Sequence, residues 1–130
     1  MKLNSISDYL ADNDVGVAGK TLFVQDLPAG AGSPALMIKN SLDGTPIDYE
    51  LPGYRKAKFQ AIVRCKANKF VDGEALADLV SSVLTLSEKR IGDMNFKFIR
   101  PINEPVAYQL SDGANYEFSV NFLAVYVIVV

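Results

Sequence analysis

Residues 16–21 contain the residue types of a phosphate-binding loop. The segment ends in Gly19-Lys20-Thr21, which matches the end of the Walker pattern. That pattern also requires a glycine five residues before Gly19, where this chain has Asp14, whose carboxylate would repel a phosphate. The loop must also follow a strand and begin a helix, whereas the flanking patterns predict a helix before it and a strand after it. We therefore interpret the segment as a glycine-rich connection and expect no nucleotide site.

Two groups of acidic residues have spacings that occur in calcium sites and in glycosidases. Asp12-Asn13-Asp14 is similar to the start of a calcium loop, but Gly16 replaces a ligand and Phe23 occupies the position of the closing glutamate. Asp48 and Glu50 would lie on one side of an extended segment, as paired catalytic carboxylates can. No aromatic cleft signature accompanies that pair. We interpret both groups as solvated carboxylates.

The inventory of nucleophiles and metal ligands is small. The chain has one cysteine, Cys65, and no histidine, which excludes a disulfide framework, a cysteine-based zinc site and Ser-His or Cys-His pairs. Cys65 falls on the apolar face of a predicted strand, where a packed thiol is expected. We predict that the protein is not an enzyme and that it uses no metal and no cofactor.

Composition sets the broad class of the protein. The 130 residues are 49% hydrophobic and 22% charged, which is enough for a single domain over residues 1–130 with its own core. The net charge of −2 and the pI of about 5.0 give no overall attraction to nucleic acid or anionic lipid. The longest apolar run, residues 123–130, is too short to span a bilayer, and the start of the chain has no signal-peptide pattern. We expect synthesis in a reducing cytoplasm and no membrane partner.

One segment is strongly basic within this acidic protein. Residues 54–69 hold six of the thirteen basic residues and no acidic residue. From Phe59 to Lys66 apolar residues alternate with mainly polar ones, which predicts a strand with one buried face. Three functions are compatible with the other face: a solvated surface, a protein-binding surface, or contact with nucleic-acid phosphates. The basic residues are Arg55, Lys56, Lys58, Arg64, Lys66 and Lys69, with Tyr54 alongside.

Hydrophobic periodicity predicts an α+β fold. Apolar spacing indicates a short helix over residues 4–12 and a longer helix over residues 73–90, capped by Asp72 and followed by Gly92. Residues 111–114 have the composition of a hairpin turn. The predicted order is α-β-β-β-α-β-β, an α/β sandwich with one mostly antiparallel sheet of four to five strands and helices packed on one face. The predicted strands cover residues 20–25, 35–41, the basic segment 54–69, 95–100 and 116–130.

Several features follow one another in an order that is found in a known family. The strand-like segment Lys20-Thr-Leu-Phe-Val-Gln-Asp-Leu-Pro28 comes first, and a strand that ends in an arginine, Gln60-Ala-Ile-Val-Arg64, comes later. Next are an Ala/Leu-rich helix, Asp72-Gly-Glu-Ala-Leu-Ala-Asp-Leu-Val80, and a proline-containing segment, Arg100-Pro-Ile-Asn-Glu-Pro105. The turn Ser111-Asp-Gly113 leads to the last strand, Tyr116-Glu-Phe-Ser-Val-Asn-Phe-Leu-Ala-Val-Tyr126. Over residues 5–126 the chain resembles the tail terminator and minor capsid (head-tail joining, neck) proteins of long-tailed bacteriophages.

The resemblance implies a structural role in the virion. Such proteins assemble into a ring, typically a hexamer, that caps the tail tube, ends its polymerisation and presents the head-tail joining surface. The implied partners are further copies of the chain, the tail tube protein, and the head-tail connector or head-closure protein. Genomic DNA would pass through the lumen without specific binding. The implied location is the tail and neck of the virion, after synthesis in the host bacterial cytoplasm.

The candidate interface combines the basic strand with two loops. Loops on a rigid sheet carry much of recognition, which favours residues 26–34 and 40–53 as contact elements. We expect the ring to close through a heterologous, head-to-tail contact. Two alternatives remain: another neck component such as a head-closure protein, and a small nucleic-acid-binding module that uses residues 55–69. The candidate interface residues are Arg55, Lys56, Lys58, Arg64, Lys66, Asp26, Leu27 and Pro28.

Overall fold

The computed structural model describes residues 1–28, 30–41, 53–110 and 115–129. The predicted turn at 111–114, the carboxylates Asp48 and Glu50, and the interior of the 40–53 loop lie outside these ranges. A short 3-10 helix, Ala67–Lys69, joins β3 to α2. The helices and strands are α1 (Leu3–Asp12), β1 (Leu22–Val24), β2 (Ala35–Asn40), β3 (Arg55–Lys66), α2 (Phe70–Val83), β4 (Leu86–Ile91), β5 (Met94–Pro101), β6 (Val106–Gln109) and β7 (Asn115–Ile128).

The strands form one sheet with the order β1-β2-β3-β7-β5-β4, and β6 pairs with β7 beyond the end of β5. β1 and β2 are parallel, whereas the other pairs are antiparallel. These features confirm the predicted α+β class and the mostly antiparallel sheet. The sheet has seven strands instead of four to five, because the sequence patterns did not indicate β4 and β6.

The centre of the sheet is the pairing of β3 with β7, which continues over the whole length of β3. Phe59 and Phe122 are opposite each other in this pair, and their rings stack with centroids 5.1 Å apart. Both side chains are fully buried on the face that carries the helices. A stacked aromatic pair contributes about 0.5–1.5 kcal/mol beyond the burial of its surface. The alternation seen in the sequence of β3 therefore places a continuous core on one side of the sheet.

Helix α1 contacts both edges of the sheet. It packs against β1 and β2 at one edge and against β4 at the other. Ile6 and Leu10 of α1 are fully buried in the core. Beside β4, a Cβ atom on Gly92 would lie 2.9 Å from Ser5 Oγ, so glycine permits the close approach of the β4–β5 turn to the helix. One short helix therefore packs against strands from both edges of the sheet.

Helix α2 packs tightly on β3 and β7. A Cβ atom on Gly73 would lie 2.6 Å from Cys65 Sγ and 3.1 Å from Phe118 Cε2, so only a residue without a side chain allows this approach. Phe70, at the start of α2, contacts the rings of Tyr116 and Phe118 with centroid distances of 5.2 and 5.0 Å. Glycine and aromatic residues together fix the position of α2 over the sheet.

The predicted helix over residues 73–90 is wrong at both ends. The observed helix begins at Phe70, ends at Val83, and is followed by strand β4. Ile91 continues the helical stripe by its spacing, but in the structure it pairs with Met94 of β5 and is buried there. Asp72 is not the cap: it lies in the first turn, and the capping position is Lys69, which makes no side-chain cap hydrogen bond. Long-range strand pairing has overridden the local helical pattern.

A side chain takes the place of backbone pairing between β5 and β6. Prolines flank this link at positions 101 and 105. Asn103 Oδ1 accepts hydrogen bonds from the backbone N and the Nδ2 of Asn121, at 2.9 and 3.1 Å. Asn103 Nδ2 donates to the carbonyl oxygen of Ser119 at 3.3 Å. The amide of Asn103 thus supplies hydrogen bonds to the backbone of β7 at Ser119 and Asn121, where the proline-containing link cannot continue the ladder.

Candidate interaction site

A partly buried ion pair lies at the end of β3. Arg64 and Glu117 are opposite each other on β3 and β7, on the face of the sheet away from the helices. Arg64 Nε and Nη2 donate to Glu117 Oε2 at 3.1 and 3.0 Å. The Glu117 carboxylate is 11% exposed, and the Arg64 side chain is 35% exposed. The guanidinium is therefore held in one orientation by a carboxylate that has little access to water.

Tyr108 of β6 completes this network. Its Oη donates to Glu117 Oε1 at 2.7 Å. Burial, followed by the hydrogen bond to the Glu117 carboxylate, raises the pKa of Tyr108 to about 12. Tyr108 therefore stays protonated and donating near neutral pH. We did not predict Glu117 and Tyr108 as site residues; a signal in the sequence is the single acidic residue within the largely apolar last strand.

The 26–34 loop lies against the end of β3. Arg64 Nη1 is 3.5 Å from the carbonyl oxygen of Leu27, and the backbone N of Lys66 donates to Ser33 Oγ at 3.0 Å. Leu27 is buried, whereas Asp26 beside it is exposed. A pocket of about 300 Å³ lies between the loop and the strands. Its walls include the exposed Pro28 and Lys66 and the half-buried Ala31, Ser33, Arg64 and Leu110.

The other basic candidates lie at the opposite end of β3. Lys58 and Lys66 are separated by roughly 26 Å of extended strand. Ile62 is buried between them on the same face. The predicted basic face is thus divided into two exposed regions with different surroundings. We call these the start cluster (Arg55, Lys56 and Lys58, with Tyr54 beside them) and the end cluster (Arg64 and Lys66).

The glycine-rich segment 16–21 and Cys65 both lie in surroundings that are typical of a structural role. Residues 16–21 follow α1 and lead into β1, so no helix begins at Lys20. Cys65 is buried beside Gly73, and burial, with the nearby Asp72 carboxylate, raises the pKa of its thiol. In the ranges that the structure describes, no group of three or more His, Cys, Asp and Glu side chains is placed to hold a metal ion.

A groove that the sequence did not indicate lies between α2 and the link from β5 to β6. Its volume is about 720 Å³. The wall formed by α2 is polar, with Glu74 and Asp78 next to hydroxyl residues. The opposite wall is mainly apolar and carries the exposed Ile102 together with Glu104. The remaining lining residues are Ser81, Ser82, Thr85, Pro101, Asn103, Pro105, Ala107 and Phe118.

The fold also occurs in a virion component. A chain of the solved structure "Virion of native gene transfer agent (GTA) particle" has a TM-score of 0.70 to this chain, and the match covers 96% of each chain. The sequences are 13% identical, so this likeness shows a shared fold. A search of curated proteins finds no match.

The sequence pattern of the bacteriophage tail terminator protein family matches residues 9–128. The chain belongs to this family, which confirms the resemblance that the sequence suggested. It is a structural protein of phage-type virions, located in the tail and neck. Among the residues that the structure describes, no helix is long and apolar enough to cross a membrane.

Proposed function

We propose that copies of this chain assemble into a closed ring, a hexamer as is typical of such proteins, that caps the tail tube and ends its polymerisation. Each copy contributes residues 1–130 as one domain and acts by binding, without catalysis. One face of the ring contacts the tube, and the other binds the head-tail connector or head-closure protein. Genomic DNA passes through the lumen without specific binding.

The observation that carries this proposal is the network around Glu117. One buried carboxylate connects β3 and β6, and Arg64 carries the connection to the backbone of Leu27 in the 26–34 loop. A loop that is already held in place loses less conformational freedom when it binds a partner. Asp26 and Pro28 are therefore presented on a prearranged support, as a docking element requires.

The two basic clusters supply charge for different contacts. The pocket beside the end cluster has two cations in its wall and is large enough for an acidic side chain. The start cluster lies at the other end of the same strand, and the side chains of Arg55 and Lys58 have no ion-pair partner within the described ranges. We therefore assign the end cluster with Asp26 and Pro28 to one partner, with the buried Leu27 anchoring the loop between them. We assign Arg55, Lys56 and Lys58 to another partner, and both clusters act as charged rims that set specificity.

The test combines mass measurement with tube capping. Light scattering over a wide concentration range, alone and with tail tubes of the same virion, should show a sixfold or other closed-ring mass in at least one condition. Tube lengths seen by electron microscopy should be restricted by the added protein. A chain that remains monomeric in both conditions and leaves tube length unchanged would contradict the proposal.

Charge reversal identifies the contacting cluster. Lys66→Glu and Lys58→Glu should each weaken binding of one of the two partners, the tail tube or the connector, by about tenfold. Arg64 is left intact because Arg64→Glu would place two carboxylates opposite each other in the β3–β7 pair. Lys89→Glu is the matched control, since it makes the same change in charge on the edge strand β4. If both lysine variants bind as the original chain does, the two clusters are solvated surface and contact no partner.

The same variants separate the nucleic-acid alternative. A basic module would bind DNA with an affinity that falls steeply with salt, and Lys58→Glu would lower both the affinity and the salt slope. The proposed ring needs no such binding. Salt-dependent DNA binding by a chain that neither oligomerises nor caps tubes would favour the alternative.

A further inference from the structure

The turn at residues 17–21 is held firmly but exposes the side chains at its tip. The carbonyl oxygen of Val17 accepts hydrogen bonds from the backbone N of Lys20 and Thr21 at 3.0 and 2.9 Å. The backbone N of Val17 donates to Thr21 Oγ1 at 2.8 Å. Val17 is nevertheless 56% exposed. The Lys20 side chain is also exposed and has no ion-pair partner within the described residues.

This turn presents an apolar side chain and a cation on a fixed backbone. Val17 adds little to the core of its own molecule because more than half of it faces water. A preorganised turn with an exposed aliphatic residue is well suited to binding, since it loses little conformational entropy when it docks. What it requires is a surface with an apolar wall and negative charge.

The groove between α2 and the β5–β6 link is such a surface. Its apolar wall includes Ile102, which is 53% exposed. Across the groove, and at its rim, lie the carboxylates of Glu74, Asp78 and Glu104, which have no ion-pair partner in the part of the chain that the structure describes. The groove and the turn are thus complementary in both charge and polarity.

The register of the sheet places the two features at the same level. A single row of cross-strand partners runs from Leu22, directly after the turn, to Ala107, in the groove wall. Between them the row passes through Leu36, Val63 and Phe118. The turn lies next to β1, at one edge of the sheet. The groove lies on the other side of β3, next to β6 and β7. A head-to-tail contact needs two different surfaces on one chain, and the turn and the groove are such a pair.

We propose that the 17–21 turn of one copy of this chain docks in the groove between α2 and β6 of the next copy. Val17 lies against the apolar wall around Ile102, and Lys20 pairs with the carboxylates of Glu74, Asp78 and Glu104. This inference rests on the proposed ring and names the contact that closes it. It uses surfaces other than the start and end clusters, which stay available for the tube and the connector.

Disulfide cross-linking tests the contact directly. In Val17→Cys/Ile102→Cys rings, mild oxidation should give a ladder of covalent multiples that ends at the size of the ring. A mixture of the two single variants should give cross-linked dimers only, because each copy then has one of the two thiols. Val17→Cys/Ile128→Cys is the matched control, since Ile128 is also an exposed aliphatic residue but lies at the far end of β7. Cys65 is retained in all variants because it is buried.

Charge exchange tests the ionic part. Lys20→Glu and Glu104→Lys should each raise the concentration at which rings form by about tenfold, and the combined variant should assemble better than Lys20→Glu alone by about threefold, a partial rescue because Glu74 and Asp78 remain. Thermal melting of each variant checks that the fold is intact. A combined variant that assembles no better than Lys20→Glu alone would overturn the assigned pairing.

The outcomes distinguish this inference from the proposed function. Rings that form and cap tubes, but give no Val17–Ile102 cross-link, would refute the turn-in-groove contact and leave the ring proposal standing. A chain that forms no ring, alone or on tubes, would refute both. Cross-links through the control pair at the same yield would show that the thiols meet by random collision and would also refute the contact.

Discussion

The packing of α2 on β3 can be tested by adding one methyl group. Gly73→Ala would place a Cβ atom 2.6 Å from Cys65 Sγ, 3.1 Å from Cys65 Cβ and 3.1 Å from Phe118 Cε2. The first distance is far inside van der Waals contact, so either α2 or the Cys65 side chain must move. Overpacking of this kind costs about 1–3 kcal/mol, and the better helix propensity of alanine returns at most about 1 kcal/mol. We expect a net loss of about 1–2 kcal/mol in the free energy of unfolding.

A second substitution should relieve the clash. Cys65→Ala removes the buried sulfur atom and by itself costs about 1 kcal/mol, the loss expected for one buried group of this size with a small cavity. In the combined variant the new methyl group occupies the space of the sulfur atom. The combined variant should therefore be at least about 1 kcal/mol more stable than the sum of the single effects. It should stay below the original chain, because the 3.1 Å approach to Phe118 remains.

The measurement is urea unfolding followed by far-UV circular dichroism, with midpoints compared at constant m value. Gly30→Ala is the control, since a Cβ atom there meets nothing within 4 Å and the residue does not have a positive φ. That control should change stability by less than about 0.5 kcal/mol. Additive effects of Gly73→Ala and Cys65→Ala, or a Gly73→Ala variant as stable as the original, would refute this account of the helix position.

Three further predictions concern the polar groups that hold β6 and β7. Asn103→Ala should cost about 1–3 kcal/mol, because it leaves backbone groups of β7 unsatisfied, and faster hydrogen exchange at the Asn121 amide should report it; unchanged exchange there would contradict the role of the amide. Glu117→Gln should lower the free energy of unfolding in urea by about 1–3 kcal/mol, since it removes the charge that orients Arg64. As a check, the double variant Arg64→Gln/Glu117→Gln should lose less than the sum of the two single losses. The folded-state pKa of Tyr108 is about 12, above the unfolded value of 10.0, so its contribution to stability is complete below pH 10 and is lost as the pH rises towards 12. Melting temperature should thus fall more steeply between pH 10 and 12 in the original chain than in Tyr108→Phe, and parallel curves would contradict the hydrogen bond to Glu117.

The local patterns in the sequence were enough for α1 and for β3. Leu3, Ile6 and Leu10 recur at helical spacing, and in the structure all three are buried. The alternation in β3 likewise matches the observed burial of its apolar residues. The pattern failed after Val83, because Ile91 satisfies both a helical stripe and a strand pair with Met94. Whether such a segment forms a helix or a strand depends on the presence of a partner strand. That partner is formed by residues outside the segment, so the local pattern does not reveal it.

The candidate site was less accessible to sequence reasoning than the fold. Arg64 was selected for its charge, but its orientation depends on Glu117, which is distant in the chain and becomes its neighbour only through the register of β3 and β7. The same register joins Leu22 to Ala107 through a row of partners and so places the turn and the groove at one level. Residue types predict which groups can interact, whereas register decides which of them meet.

The two end strands of the sheet, β1 and β4, favour assembly through side chains over assembly by strand addition. β1 has only three residues, and β4 exposes Glu88, Lys89 and Arg90, with Glu88 in a positive-φ conformation. Short, charged and irregular edges are those that resist pairing with another chain. Helix α1 also packs against β1 and β2 near one edge and against β4 at the other. The proposed ring contact agrees with such edges, because it joins a firm turn to a groove with a polar and an apolar wall and pairs no strands. In the proposed contact the two surfaces differ, so the contact is heterologous, and it closes into a ring only if the rotation from one copy to the next divides a full turn.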